Sequence, residues 1–278
     1  MLSDQPMRKI RAPLFVLSHM RSYSSLLAHV LGSHPEIDGY CETHLRYYFP
    51  FDVLRLHWRV RKLTGEPLRG RYVLDKILHN YTISPGILES RRMRAVVMLR
   101  QPVDVLQSIL HMGAHLDPVE RNTNLDHVTG YYVARLGRLT ELARKLGRRA
   151  AFVESESLLD RTDHTLQFLR DHLELRDPLQ RHYRRFEKTG KPSFGDPSPA
   201  IHSGEIRTQP PKRVTFAIPA MFMDKVASAH AACHEACHRH CAQMPATGRA
   251  RLPSAESPRH PSRSESRLPP TQGRPRRD

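Results

Sequence analysis

The chain has 278 residues, with 44 lysines and arginines against 28 aspartates and glutamates, which gives a formal net charge of +16. It contains no apolar run of 18 residues and its first eleven residues are polar and charged, so we expect neither a membrane span nor a signal peptide. The four cysteines do not form the pattern of a disulfide framework. These features together predict a cytoplasmic protein.

The composition changes at Pro245. Residues 1–244 have an ordinary globular composition, and we expect them to form one domain. Residues 245–278 are rich in proline, serine and arginine and have few large apolar residues, so they cannot bury enough surface to offset chain entropy. We expect a disordered basic tail there. The positive charge of residues 1–244 suits a polyanionic ligand, and because no recognition motif accompanies it we expect no specific nucleic-acid partner.

The first predicted elements are a strand, a polar loop and a helix. Leu14–Leu17 is a short apolar run typical of a buried strand. The loop at residues 18–25 contains one arginine and four serines, but no glycine or lysine, so it is not a Walker loop. Apolar residues then recur at the spacing of one helix face: Leu26, Leu27, Val30 and Leu31. This order directs backbone N–H groups and a positive helix end at an anion, and it predicts a phosphate-binding loop.

The next segments predict a helix and a second strand. Residues 45–62 mix aromatic and basic residues in a pattern compatible with a helix, whose rings belong either to the core or to an acceptor pocket. Arg71–Asp75 is a short apolar strand, and Lys76 follows it.

A second anion site is predicted after the third strand, Arg94–Leu99. Arg100 stands at the strand end, where its forked guanidinium suits a phosphate. Pro102 fits the first turn of a helix, and Ser108 lies two turns further along that helix. Two anion sites after two strands suit a donor with phosphates at both ends of its ribose.

The remaining segments complete an alternating pattern. Residues 124–146 predict an amphipathic packing helix, and Ala150–Glu154 predicts a fourth strand. Residues 188–206 form a loop rich in Gly, Pro and Ser that we expect to be a lid, with Lys191 near a phosphate. Alternating strands and helices predict an α/β fold with a parallel central sheet flanked by helices and ligands at the strand carboxyl ends.

Two of these segments resemble those of sulfotransferases that use 3′-phosphoadenylyl sulfate, the bacterial type in particular. Residues 20–27, Met-Arg-Ser-Tyr-Ser-Ser-Leu-Leu, are similar to the family's 5′-phosphosulfate loop, Pro-Arg-Ser-Gly-Ser/Thr-Thr-Leu-Leu. Arg100 and Ser108 stand at the spacing of its 3′-phosphate segment. The resemblance implies a P-loop-like sulfotransferase fold. It also implies that two groups of residues bind opposite ends of one donor nucleotide. One group is Arg100 and Ser108, and the other is the loop residues Arg21, Ser22, Tyr23, Ser24 and Ser25.

The resemblance also assigns catalytic roles. Arg21 is expected to hold the donor and stabilise the leaving phosphate, and Lys76 to stabilise the transferring group. Glu42 is the favoured base that removes the proton from an acceptor hydroxyl or amine. The other candidate bases are His44, which is the main rival, His79 and His111. No metal is expected. The acceptor class stays open between carbohydrate, lipid, small alcohol and peptide, because variable loops build acceptor pockets.

The sequence departs from the family pattern at Tyr23, where glycine is usual. Glycine permits a positive φ and a close approach of the backbone to phosphate. Either the loop keeps an ordinary conformation with the Tyr23 ring turned outward, or donor binding is altered. A non-catalytic nucleotide-binding protein is therefore one alternative, and a kinase-like phosphoryl transferase is another, although the missing Gly-Lys-Ser/Thr run disfavours it.

A histidine and cysteine cluster spans residues 230–241. Its cysteines stand four residues apart, as do three of its histidines, and residues at that spacing on a helix can share a metal. Structural zinc sites usually draw ligands from two elements, and a free cysteine is often a small buried apolar group. We therefore expect packing rather than metal binding here.

Overall fold

The computed structural model describes residues 10–115, 122–191, 193–207 and 215–245. Its sheet has five strands, all parallel, in the order β2-β3-β1-β4-β5. The strands are β1 (Ala12–Leu17), β2 (Ile37–Asp38), β3 (Tyr72–Ile77), β4 (Arg94–Leu99) and β5 (Ala150–Glu154). The predicted α/β architecture with a parallel central sheet is confirmed.

Helices connect and cover these strands. They are α1 (Ser24–Gly32), α2 (Asp52–Thr64), α3 (Pro85–Leu88), α4 (Pro102–His115), α5 (Leu125–Leu146), α6 (Ser157–Asp160), α7 (Thr162–His172) and α8 (Ala220–His240). Among the described helices, none combines the length and the apolar character that a membrane crossing requires.

Both faces of the sheet are buried, which explains why its strands read as nearly continuous apolar runs. On one face, Phe15 of β1 and Val97 of β4 belong to a core that includes residues of α2, α4, α5 and α8. On the other face, Val16 and Val96 pack with residues of α1 and α7. Because side chains alternate along a strand, each central strand contributes to both cores.

The predicted bounds of β4 and β5 match the structure, whereas β1, predicted from Leu14, begins at Ala12. β3 continues through Lys76 to Ile77, and the two-residue strand β2 was not predicted. The helix predicted over residues 45–62 begins only at Asp52. Of its aromatic residues, Tyr47 is buried, whereas Phe51 and Trp58 are 61% and 63% exposed. Core packing is therefore wrong for those two rings, and for Tyr48 and Phe49, which are 50% and 55% exposed, whereas the acceptor-pocket alternative stays a prediction.

The described residues up to Met244 belong to one compact unit. The predicted boundary between Met244 and Pro245 stays a prediction. The predicted disordered tail lies outside the described residues from residue 246 onward.

Candidate active site

One cavity of about 630 Å³ lies where the segments after β1, β3 and β4 meet. The chain leaves β1 toward β2 and β3 on one side of the sheet, and β4 leads to β5 on the other. A parallel sheet of this kind binds ligands in the crevice at such a switch point. The predicted site residues that line the cavity are Arg21, Ser22, Tyr23, Ser24, Ser25, Glu42, Lys76 and Arg100.

The loop after β1 is held in an unusual backbone conformation. Arg21 and Tyr23 have φ values of 62° and 59°, in the left-handed region that non-glycine residues rarely adopt. The Ser22 hydroxyl faces inward: it donates to the carbonyl of His19 over 2.8 Å and contacts the Ser18 hydroxyl. In this arrangement the hydroxyl donor of Ser22 is used within the loop, and the predicted role of Ser22 toward a phosphate stays a prediction.

The N-terminus of α1 opens at this cavity. Tyr23 is its N-cap residue and makes no capping hydrogen bond from its side chain within the described structure. The first N–H groups of a helix have no partner inside the helix, and they carry the positive end of its dipole. With Ser24 and Ser25 lining the cavity, this end is suited to an anion.

Tyr23 keeps the backbone conformation that glycine would allow. Its ring lies under the guanidinium of Arg100, whose Cζ is 4.4 Å from the ring centroid. The expectation that the loop would keep an ordinary conformation with an outward ring is therefore wrong. Stacking on a cation offsets part of the cost of the positive φ.

The two predicted anion sites are adjacent. Arg21 donates through Nε to the hydroxyl of Ser108 over 2.9 Å, and Arg100 donates through Nη1 to the carbonyl of Arg21 over 2.9 Å. The sequence analysis placed Arg21 and Ser108 at opposite ends of a nucleotide, whereas the structure joins them. Ser108 does not line the cavity itself but fixes the Arg21 side chain that does.

Arg100 has spare hydrogen-bonding capacity at the cavity. The residue is 6% exposed, and within the described part of the chain its Nε has no hydrogen-bond partner. Asp104 and Glu156 lie 3.8 and 4.0 Å from its guanidinium nitrogens, beyond hydrogen-bond distance. A buried guanidinium N–H without an acceptor destabilises the folded protein. An anion bound here would accept a hydrogen bond from that N–H and so stabilise the protein.

Asp196 is a site residue that the sequence analysis missed. Its Oδ1 lies 2.8 Å from Nη1 of Arg21. Burial acts to raise the pKa of Asp196, but the Arg21 charge and hydrogen bonds from Arg21 and Ser198 outweigh it and leave the pKa lowered. The Gly-Asp-Pro-Ser run at residues 195–198 was the available signal. Lys191 of the same predicted lid is exposed and lies outside the cavity lining.

Gly195 brings the predicted lid segment onto the loop after β1. A Cβ at Gly195 would lie 3.1 Å from Oγ of Ser25 and 3.4 Å from Nζ of Lys76. Few side-chain Cβ atoms tolerate the shorter contact. The close approach therefore favours glycine, and residues 195–198 of the predicted lid segment line the cavity.

Glu42 and Lys76 form a buried pair at the cavity. Lys76 Nζ lies 3.2 Å from Glu42 Oε1 and donates to Ser25 Oγ over 2.7 Å. Glu42 is 8% exposed and Lys76 is 2% exposed. The pair joins the segment after β2, the strand β3 and the start of α1 at one point.

A buried carboxyl behind this pair fixes the Glu42 segment. Asp75 accepts hydrogen bonds from the backbone and hydroxyl of Thr43, over 2.9 and 2.7 Å, and from the Tyr47 hydroxyl over 2.6 Å. Burial raises the pKa of Asp75 to about 6, against the lowering effect of these hydrogen bonds. Asp75 thus positions the residue next to Glu42.

The candidate histidines occupy different environments. His44 and His79 line the cavity, and Nε2 of exposed His44 lies 2.5 Å from the carbonyl of Ser193. His111 lies on α4 outside the cavity lining. His19, which sequence reasoning did not single out, is fully buried, and burial lowers its pKa to about 3. Its neutral Nε2 accepts from the backbone N–H of Arg100 over 3.2 Å.

Arg135 of α5 is a second residue that the sequence analysis missed. The analysis expected only apolar packing from this helix, but Arg135 is 1% exposed. It donates to the carbonyls of Ser18, Ile77 and His79 over 2.8, 2.6 and 2.7 Å. Arg135 therefore ties together the chain segments that leave β1 and β3 at the cavity.

The fold is similar to that of a solved protein of known class. The structure of a sulfotransferase domain from the curacin biosynthetic pathway superposes with a TM-score of 0.53 at 14% identity. The match covers 78% of this chain and 97% of that domain. No protein-family model and no curated protein matches the chain. The chain therefore has the sulfotransferase fold, which the sequence analysis predicted.

Proposed function

We propose that this protein is a sulfotransferase that moves a sulfuryl group from 3′-phosphoadenylyl sulfate to a hydroxyl or amine acceptor. The observation that carries the proposal is the convergence of Arg21, Lys76, Arg100 and the N-terminus of α1 on one cavity, within a sulfotransferase fold. Such a set of positive groups suits a ligand with several phosphate or sulfate oxygens. The donor identity comes from the sequence resemblance.

Two ends of the donor are assigned to two parts of the cavity. The start of α1 and Lys76, which meet at Ser25, hold the phosphosulfate in this proposal. Arg100 and the Arg21 side chain, braced by Ser108, hold the 3′-phosphate. This changes the role of Arg21, which the sequence analysis grouped with the phosphosulfate.

The proposed reaction is an in-line displacement at sulfur. The acceptor oxygen or nitrogen forms a bond to sulfur while the bond from sulfur to the 5′-phosphate oxygen breaks, and 3′-phosphoadenosine 5′-phosphate leaves. Glu42 takes the proton from the acceptor, and Lys76 stabilises the charge on the transferring oxygens. The distance of 3.2 Å between Lys76 Nζ and Glu42 Oε1 supports the proposal that the two groups act at one reacting centre.

The donor is tested first by binding. The full chain is titrated with 3′-phosphoadenosine 5′-phosphate, and with ATP and Mg²⁺ as the comparison, by calorimetry and thermal shift. We expect the bisphosphate to bind and to raise the melting temperature, and ATP with Mg²⁺ to have a much smaller effect. Preference for ATP with Mg²⁺ would favour the kinase-like alternative and contradict the proposal.

The Arg100→Ala variant is expected to weaken binding of the bisphosphate by roughly 10- to 100-fold, because it removes a charge-assisted fork worth about 1.5–3 kcal/mol. Arg138→Ala is the matched control, since Arg138 pairs with Glu141 on α5, outside the cavity lining. Equal affinity in the two variants would remove Arg100 from the donor site.

Turnover separates an enzyme from a non-catalytic binding protein. Small-molecule and protein extracts are incubated with enzyme and donor, and mass spectrometry searches for products heavier by one SO₃ group. Tight binding of the bisphosphate without any such product over a broad acceptor set would favour the non-catalytic alternative.

A further inference from the structure

Three side chains that can bind a metal meet between α8 and the carboxyl end of β5. His234 and His238 stand one helical turn apart on α8, and Glu154 ends β5. One potential ligand atom from each of the three lies within 4.8 Å of the others, and Nε2 of His234 is 3.0 Å from Oε1 of Glu154. None of the three lines the cavity described above.

Phe152 holds both imidazole rings. Its ring meets His234 edge-on at a centroid distance of 5.4 Å and an angle of 85°, and meets His238 at 5.2 Å and 74°. Arg161 lies 3.9 Å from Oε2 of Glu154, the oxygen that does not face His234. The two rings and one carboxylate oxygen are therefore already directed toward one another.

The two elements that carry these groups are also joined through the backbone. Immediately after α8, Ala242 pairs with the edge strand β5: its carbonyl accepts from Phe152 N over 2.9 Å, and its N–H donates to Ala150 O over 2.8 Å. The relative position of helix and strand is therefore set by the chain itself. A metal ion would therefore need only small rearrangements of these side chains in order to bind.

We propose that Glu154, His234 and His238 bind a divalent zinc-class ion that links α8 to β5. Two imidazoles and one carboxylate form a common zinc ligand set, with bond lengths of about 2.0–2.2 Å. Small side-chain rotations bring ligand atoms within 4.8 Å to that distance from one ion. A fourth position remains for water. The site is structural and does not depend on the proposed sulfuryl transfer.

The cysteines of the same segment are not ligands in this proposal. Cys233, Cys237 and Cys241 are fully buried and belong to the core between α8 and the sheet. Side chains at this spacing share one helix face, and the structure turns that face inward. The cysteines of the His/Cys cluster therefore pack in the core, whereas its histidines remain partly exposed.

Zinc and cobalt binding to the untagged full chain tests the site. We expect one Zn²⁺ per chain by calorimetry and a higher melting temperature with Zn²⁺. His238→Ala and Glu154→Gln are expected to lower zinc affinity at least about tenfold and to abolish the thermal shift. His238 is exposed, so its replacement should leave the fold intact, which circular dichroism checks.

His240→Ala, which removes a histidine from the same last turn of α8 but outside the cluster, is the matched control. It should bind zinc like the unmodified chain. The proposal is overturned if no stoichiometric zinc binds, or if His238→Ala and His240→Ala bind equally well. A thiolate-to-cobalt charge-transfer band would also overturn it, because that would place the metal on the cysteines.

Discussion

Tyr23 shows how a residue with a side chain can occupy a backbone conformation that glycine adopts more readily. The residue adopts a φ of 59° and stacks its ring on Arg100, a proposed ligand of the donor. The stack holds the guanidinium while Arg100 Nη1 binds the carbonyl of Arg21. At the residue scale, therefore, the unusual backbone of Tyr23 is coupled to Arg100 of the second predicted anion site.

Substitutions of Tyr23 separate the free-energy cost of its positive φ from the stabilisation that its ring gains by stacking on Arg100. Tyr23→Gly and Tyr23→Ala both remove the stack, but only glycine relieves the positive φ. We expect the Gly variant to be more stable than the Ala variant by about 1 kcal/mol, measured by urea denaturation. Equal stability would show that the positive φ is not retained in solution.

Glu42 is the residue on which the proposed chemistry depends. Glu42→Gln keeps the shape of the side chain and an oxygen that can accept from Lys76, so binding of 3′-phosphoadenosine 5′-phosphate should be unchanged. Turnover should fall by about 10²- to 10⁴-fold, because the base is lost. The measurement is turnover with an acceptor identified by the mass search.

The matched variant for that experiment is His44→Gln, which replaces the rival base at the same cavity. It should retain turnover within a few-fold of the unmodified enzyme. If His44→Gln loses turnover and Glu42→Gln does not, the role of base passes from Glu42 to His44.

At the scale of elements, α5 has two functions. Its apolar face packs against the sheet and α8, and its buried Arg135 satisfies three carbonyls where β1 and β3 end. Burial lowers the pKa of Arg135 to about 10, which still leaves it charged at neutral pH. The helix therefore stabilises the base of the cavity as well as the core.

Arg135→Leu should be strongly destabilising. The substitution leaves three buried carbonyls without a donor, and we expect the free energy of unfolding to fall by about 3 kcal/mol or more. Arg138→Leu, on the same helix and paired only with Glu141 in the described structure, should change it by less than about 0.5 kcal/mol. Urea denaturation of both variants measures the difference, and similar values would contradict the bracing role.

At the scale of the whole molecule, Asp75 gives the folded state a distinct pH dependence. Burial raises its pKa to about 6 from an ordinary value of 3.8, so the folded chain binds this proton more tightly than the unfolded chain does. The stabilisation from this group is complete below the unfolded pKa and is lost as pH rises through the folded pKa.

Asp75→Asn should remove that dependence. The unmodified chain should lose stability relative to the variant by an amount on the order of 2 kcal/mol between about pH 4 and pH 7. His19, whose lowered pKa acts in the opposite direction, is present in both proteins and cancels from the difference. The check is urea denaturation of both proteins across that range, and parallel pH profiles would show that Asp75 does not titrate in the folded protein as described.

The sequence by itself determined the local features of this protein. Apolar runs specify β4 and β5 to the residue because buried parallel strands need apolar side chains on both faces. The polar loop before α1 and the arginine after β4 were likewise recognisable as candidate anion-binding segments, since the chemistry and the helix start are both local.

Only the tertiary structure decided which side chains meet. Arg21 with Ser108 and Asp196, Glu42 with Lys76, and Arg135 with the strand ends are contacts between residues far apart in the chain. Such contacts leave no periodic signal, because they depend on where the sheet order brings separate loops together. The physical reason is that helix and strand patterns encode which face is buried, whereas a site is made by polar groups that converge after that burial is complete.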